Sequence, residues 1–166
     1  MLAIGIDPGT AITGYGLVRR TEPGDLLAVD WGVILTPADM HPSARLAAIF
    51  QGINEVLHQH HPASAAVESL YFQRNVRTAM SVGQARGVVL LALEQAGIPS
   101  FDYNPNQVKQ AVTGYGAADK GQMQSMVRTL LNLAELPKPD DAADALAIAI
   151  CHLNTQRTQQ LISQQS

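Results

Sequence analysis

Residues 2–9 have the sequence LAIGIDPG, an apolar run that stops at a carboxylate and a Pro-Gly pair. A short apolar run closed by such a pair is typical of a buried strand that ends in a tight turn. Ligands gather at strand ends in α/β sheets. Asp7, at the end of this strand, is therefore the first candidate functional residue.

The pattern outside this segment predicts one α/β domain. Apolar or β-rich runs bounded by turn residues predict five strands, over residues 2–7, 13–19, 26–35, 63–68 and 99–103. Apolar residues at helical spacing predict five helices, over residues 42–59, 74–95, 105–112, 120–133 and 141–153. The first three strands are expected to form an antiparallel meander. Together these elements predict a mixed five-stranded sheet flanked by helices.

The ends of the elements carry their own signals. Ser43 is the expected N-cap of the first helix, and Gly97 is the expected end of the helix over 74–95. The Gln/Ser-rich residues 156–166 are expected to be disordered. This leaves residues 1–155 as a single folded domain, which suits a chain of 166 residues that is 46% hydrophobic.

Composition limits the classes of function. No run reaches the roughly 18 apolar residues of a membrane span, and the N-terminus lacks the pattern of a secretion signal, so we expect a cytoplasmic protein. The lone Cys151 is expected to be a buried free thiol. A net charge of −3 weakly opposes nucleic-acid binding. Residues 68–138 nevertheless hold seven basic and five acidic residues, so the middle of the chain is mildly basic.

Several carboxylates occur at positions that exposure to solvent does not explain. Asp7 and Glu68 each close an apolar strand, and Asp141 and Asp144 lie one turn apart at the start of an almost entirely apolar helix. Asp140 and Asp141 could simply cap that helix and complement its dipole. Asp144 lies inside the helix among apolar neighbours, where an unpaired charge costs several kcal/mol. The pattern therefore predicts a cation beside Asp144.

Hard divalent ions fit this acidic set, because Mg²⁺ prefers carboxylate oxygens. Two such ions can stabilise the attacking and leaving oxygens of a phosphodiester displacement. The histidines at 58, 60 and 61 are interpreted as solvated surface residues at the end of the first helix.

Several segments, in order along residues 5–152, resemble the RuvC family of Holliday junction resolvases. They are GIDPG at 5–9 with TGYG at 13–16, VE at 67–68, GQARG at 83–87, QVKQ at 107–110, MVR at 126–128 and DAADALAIA at 141–149. The resemblance implies an RNase H-like fold, a homodimer, paired incisions in a four-way junction, and association with the RuvA and RuvB branch-migration proteins. It also implies dependence on Mg²⁺, two ions per site, with Mn²⁺ as a substitute.

Matching motif positions assign the family's functional residues. The catalytic and metal-binding acids fall on Asp7, Glu68, Asp141 and Asp144, which favours Asp141 over Asp140. DNA contacts fall on Tyr71, Phe72, Arg74, Lys109 and Lys120. Either Tyr71 or Phe72 would stack on junction bases, and this choice stays open.

Three other functions fit parts of the sequence. GIDPGT at residues 5–10 resembles the phosphate-binding hairpin of actin-like ATPases, but those proteins need two such lobes and this chain supplies one. An RNase H-like nuclease that acts on RNA is a closer alternative. A junction-binding module without catalysis is the third, and the intact acids speak against it.

Overall fold

The structure is a computed structural model that describes residues 1–69 and 76–163. Within these residues, five strands form one sheet in the order β3-β2-β1-β4-β5. The strands are β1 (Leu2–Asp7), β2 (Ile12–Arg20), β3 (Leu26–Leu35), β4 (Ser64–Glu68) and β5 (Ser100–Tyr103). The helices are α1 (Pro42–His60), α2 (Val76–Gln95), α3 (Pro105–Thr113), α4 (Lys120–Leu130) and α5 (Asp140–Ser163).

The sheet is mixed, as predicted. β1 pairs antiparallel with β2, and β2 pairs antiparallel with β3, which confirms the meander. β4 runs parallel to β1, and β5 runs parallel to β4. β1 is therefore the central strand, and its C-terminal end lies beside the C-terminal end of β4.

The two faces of the sheet are covered by different helices. Residues of α1 and α2 pack on one face, in a cluster that includes Ile4 and Ile6 of β1. Residues of α3, α4 and α5 pack on the other face, in a cluster that includes Ala3 of β1 and Ala66 of β4. Since successive side chains of a strand point to opposite faces, Asp7 lies on the α5 face, like Ala3.

Glycines allow α5 to lie directly on the sheet. A Cβ on Gly5 would overlap the carbonyl oxygen of Ala145, and a Cβ on Gly14 would overlap that of Asp141. The two glycines are on neighbouring strands β1 and β2, and Gly14 is the register partner of Asp7. The close approach therefore places the first turn of α5 next to Asp7.

Two helix ends differ from the sequence prediction, and a third agrees with it. The N-cap of α1 is His41, whose ring Nδ1 accepts from the backbone N–H of Ser43, so the prediction of Ser43 as the cap was wrong. The fourth helix ends at Leu130 rather than at residue 133. Gly97 has a left-handed backbone conformation after α2, as predicted.

The C-terminal segment also differs from the expectation. α5 continues to Ser163 instead of ending near Leu153, so residues 156–163 are helical rather than disordered. Extending an existing helix costs little compared with starting one, and the segment contains no Gly or Pro. Across the described residues, none of the helices combines the length and apolar character needed to cross a bilayer.

Candidate active site

Asp7 and Glu68 are brought together by the register of two parallel strands. Ile6 of β1 is the register partner of Val67 of β4, so the next residue of each strand is one of these acids. Ala66 belongs to the cluster on the α5 face, and alternation places Glu68 on that same face. The two carboxylates thus lie side by side, facing α5.

α5 brings further acids to the same place. Residues 142–153 of α5 are all buried except Asp144, which is partly exposed. Asp141 lies against Gly14, and Gly14 pairs with Asp7. The predicted burial of an apolar helix that opens with acids is therefore confirmed.

A cavity of about 220 Å³ contains most of the predicted site. Three carboxylates and two lysines are among its lining residues: Asp7, Glu68, Asp144, Lys109 and Lys120. Pro105, Val108, Met123, Ala147 and Ile148 supply apolar walls. Asp141 is not among the lining residues, although it lies close enough for its charge to act on Asp7.

Burial and mutual repulsion disfavour ionisation of these acids. Burial, followed by the charges of Glu68, Asp144 and Asp141, raises the pKa of Asp7 to about 7, against the opposing effect of Lys120. The pKa of Glu68 is raised by burial and then by the charge of Asp144. Burial also raises the pKa of Asp144. A bound cation would offset this cost of ionisation, so the site favours one.

Lys120 lies at the edge of this cluster, within reach of both Asp140 and Asp144. Its Nζ is 2.9 Å from a carboxylate oxygen of Asp140 and 3.9 Å from one of Asp144. Asp140 also accepts a hydrogen bond from Gln124, and the hydrogen bond from Lys120 is the main reason why its pKa is lowered. Asp140 is thus an exposed, paired acid, unlike Asp7 or Glu68.

Both lysines lie on helices whose N-termini are capped. α4 begins at Lys120 behind Asp119, which forms a capping box with Gln122. α3 has Asn104 as its N-cap, and Lys109 follows one turn later. These caps fix where each helix begins and so direct both lysines to the cavity.

Arg86 is a contact of the site that the sequence reasoning did not assign. Its Nε donates to the backbone carbonyl of Glu68 at 3.3 Å, and its Nη2 donates to Asp102 at 2.6 Å. The side chain therefore ties α2 to the ends of β4 and β5 beside the acid. Its place in the GQARG segment could have drawn attention to Arg86, but only the fold shows that it contacts the carbonyl of Glu68.

The acids fit a divalent cation by their chemistry. All are oxygen donors, and three of them are desolvated in one cavity. Among residues 1–69 and 76–163, no three His, Cys, Asp or Glu side chains are arranged so that they could hold a metal ion as they stand. The carboxylates share one cavity but are not drawn together around a single point.

Three residues that are predicted to contact DNA, Tyr71, Phe72 and Arg74, lie outside the described residues. Two other residues can be compared with their predictions. His60 was expected to be solvated, but its side chain is 13% exposed and lies 2.9 Å from Asp30. Cys151 is a buried free thiol, as predicted.

Comparison with known sequences gives one consistent family. The family model described as crossover junction endodeoxyribonuclease RuvC matches residues 3–152. A relative of that name from Chloroflexus aggregans is 58% identical over 160 residues, which cover 96% of this chain and 97% of the relative. Another from Desulfitobacterium hafniense is 56% identical over 155 residues, covering 93% of each.

Solved structures give the same result. Thermus thermophilus RuvC in complex with a Holliday junction substrate superposes with a TM-score of 0.87 at 37% identity, covering 95% of this chain and 96% of that one. The yeast mitochondrial Holliday junction resolvase Ydc2 has a TM-score of 0.67 at 16% identity, covering 93% and 80%, and so shares the fold. The RNase H-like fold is therefore confirmed, and the chain belongs to the RuvC family of crossover junction endodeoxyribonucleases.

Proposed function

We propose that this chain is a metal-dependent endonuclease that resolves four-way DNA junctions by paired hydrolytic incisions, in recombination and repair. The observation that supports it most directly is the cavity in which Asp7, Glu68 and Asp144 meet Lys109 and Lys120. Clustered carboxylates bind cations, and adjacent ammonium groups attract phosphate. A site with both can hold a phosphodiester beside bound metal.

Asp7, Glu68, Asp141 and Asp144 are the proposed ligands of two Mg²⁺ ions, with Mn²⁺ as a substitute. When bound, such ions stabilise the attacking and leaving oxygens of the phosphodiester and lower the pKa of a water molecule. Asp7, held by the central strand beside Glu68, is suited to be the shared ligand. The apolar walls of the cavity strengthen the electrostatic interactions inside it.

The lysines have a separate role in this proposal. Lys109 and Lys120 line the same cavity as the acids and would contact the phosphate or the charge that develops during cleavage. Arg74 is proposed to contact a nearby phosphate, and Tyr71 or Phe72 to stack on bases opened at the crossover. Stacking of this kind is worth roughly 1–3 kcal/mol per base.

A homodimer is proposed because a four-way junction has approximate two-fold symmetry and needs two incisions. The exposed face of α2 supports this assignment. Met80 is 65% exposed and Leu91 is 50% exposed, while Gln84 and Gly87 lie exposed between them at helical spacing. Among the described residues, a Cβ on Gly87 would meet nothing within 4 Å, so a second helix could approach closely there.

The family also supports a cellular setting. We propose that the enzyme acts in the cytoplasm with RuvA and RuvB, which would deliver the junction by branch migration. Co-sedimentation of the purified chain with a RuvA–RuvB–junction complex would test this association. A junction complex that excludes the chain at micromolar concentration would contradict it.

A cleavage assay tests the proposed activity. The purified chain is incubated with end-labelled four-way DNA, linear duplex, RNA–DNA hybrid and four-way RNA, each with Mg²⁺, Mn²⁺ or EDTA. We expect symmetric paired cuts in the four-way DNA that EDTA abolishes. Preferential cutting of the hybrid or RNA would favour an RNA nuclease, and junction binding without cutting under every metal would favour a binding module.

A further inference from the structure

A histidine buried in the core of α5 joins three elements. His152 is 0% exposed, and its Nε2 lies 2.8 Å from the Ser64 hydroxyl at the start of β4. Its Nδ1 lies 2.9 Å from the Tyr103 hydroxyl at the end of β5. The Phe101 ring packs against the imidazole with ring centroids 4.8 Å apart.

The hydrogen bonds fix the orientation of the imidazole. Burial lowers the pKa of His152 to about 4, so the ring is neutral near pH 7. A neutral imidazole has one donor and one acceptor nitrogen, and the two hydroxyls satisfy both. A buried polar group whose hydrogen bonds are all made fixes the relative position of the elements that it joins, whereas apolar contacts alone would allow these elements to slide past one another.

The position of this contact relates it to the acidic cavity. Ser64 and Glu68 are four residues apart on the α5 face of β4, a span of about 13 Å. His152 and Asp144 are eight residues apart on α5, a span of about 12 Å. β4 and α5 run in opposite directions. Because the two spans match, the contact between Ser64 and His152 joins the elements at one end, and Glu68 and Asp144 come together at the other end.

The acids at that end repel each other. Asp7, Glu68 and Asp144 line one cavity, and like charges this close to one another repel. Repulsion would move α5 away from β4 unless other contacts hold it. Tyr103 adds a second link, because it is the register partner of Glu68 and its carbonyl accepts from the backbone N–H of Ser69.

We propose that His152 is a positioning residue for metal binding, which holds α5 at a fixed distance from β4 and β5 through Ser64 and Tyr103. It contacts neither metal nor DNA. It sets the separation of Glu68 and Asp144, so its loss would weaken the binding of metal more than that of DNA. This inference rests on the proposed function of the acidic cavity.

The test measures the affinity of the full chain for Mn²⁺ alone, from the electron paramagnetic resonance signal of the free ion. The variants are Ser64→Ala, Tyr103→Phe and His152→Leu, and the rescue variant is His152→Gln, which keeps a polar group towards Ser64. Ile49→Val, a buried α1 residue on the opposite face of the sheet, is the control for stability loss. Junction affinity is measured for all of them in EDTA.

We expect His152→Leu to lower Mn²⁺ affinity on the order of 10-fold, the lower end of losses seen when groups that orient metal ligands are removed. Ser64→Ala and Tyr103→Phe should each lose less, His152→Gln should recover part of the affinity, and junction binding in EDTA should stay unchanged. If His152→Leu does not fold, the two single hydroxyl deletions carry the same test.

Two outcomes would overturn the inference, and they are distinguishable. If the wild-type chain binds Mn²⁺ and cuts the junction while the hydroxyl deletions bind Mn²⁺ as tightly as Ile49→Val does, His152 is structural only. If the wild-type chain neither binds Mn²⁺ nor cuts the junction, the proposed function itself is wrong, and the inference falls with it.

Discussion

Replacing Asp7 with asparagine should stabilise the metal-free protein while abolishing cleavage. The pKa of Asp7 is raised from 3.8 to about 7, and each unit corresponds to about 1.4 kcal/mol of unfolding free energy. The ionised carboxylate therefore destabilises the folded state by up to about 4 kcal/mol. Relaxation of the cluster would reduce the measured gain for Asp7→Asn to roughly 2–4 kcal/mol, or about 5–15 °C in melting temperature.

The gain should depend on pH with a definite sign. Below about pH 4 the carboxyl of Asp7 is protonated in both folded and unfolded chains, so the variant and the wild type should be equally stable. Between about pH 4 and 7 the unfolded chain releases this proton while the folded chain keeps it. Wild-type stability therefore falls relative to the variant across this window, and the difference is complete above about pH 7.

The assay is chemical denaturation in EDTA at pH 4, 6 and 8, repeated at pH 8 with Mg²⁺. Asp140→Asn is the matched control, because Asp140 is exposed and paired with Lys120, so its neutralisation should give no gain. Saturating Mg²⁺, at 100 times its dissociation constant, should stabilise the wild type by about 2.7 kcal/mol and Asp7→Asn much less. Junction binding in EDTA should persist in the variant. A pH-independent difference, or an equal gain in Asp140→Asn, would refute the reasoning.

Three further substitutions test how α5 and α4 complete the site. Asp141→Asn should reduce junction cleavage strongly and Asp140→Asn only slightly, because the charge of Asp141 acts on Asp7. Equal losses of cleavage rate in a single-turnover assay would mean that the choice of Asp141 over Asp140 as the metal ligand is wrong. Gly14→Ala should lower both melting temperature and Mn²⁺ affinity, since the new Cβ would overlap the Asp141 carbonyl oxygen; unchanged values would show that α5 can shift freely. Lys120→Gln should slow cleavage at saturating Mg²⁺ while folding is retained, and a rate equal to that of the wild type would remove Lys120 from the mechanism.

The candidate acids could be selected from the sequence because their signals are local. A strand end is marked by the residues next to it, as at Asp7 and Glu68, and an acid inside an apolar helix is conspicuous without a structure. The alternation of side chains along each strand then fixes which face the acids occupy. Three of the four predicted acids, together with both predicted lysines, line one cavity.

Contacts between segments that are far apart in the chain could not be predicted from the sequence. Ser64 and His152 are 88 residues apart, and nothing in either local pattern indicates the other. Arg86 and the carbonyl of Glu68 present the same difficulty. The helical end of α5 was missed for another reason, since Gln-rich composition is typical of disorder but Gln is also a good helix former once a helix has begun.

The arrangement also explains how a chain can keep a site that opposes its own folding. Three acids with raised pKa values weaken the folded state in the absence of metal. Their separation is resisted by contacts outside the cavity: the long apolar part of α5, the glycines beneath it and the hydrogen bonds of His152. Because these contacts do not depend on metal, the acids are held near one another before any ion arrives. Metal binding then relieves repulsion that the fold has already imposed, so part of the binding free energy comes from the structure of the metal-free chain.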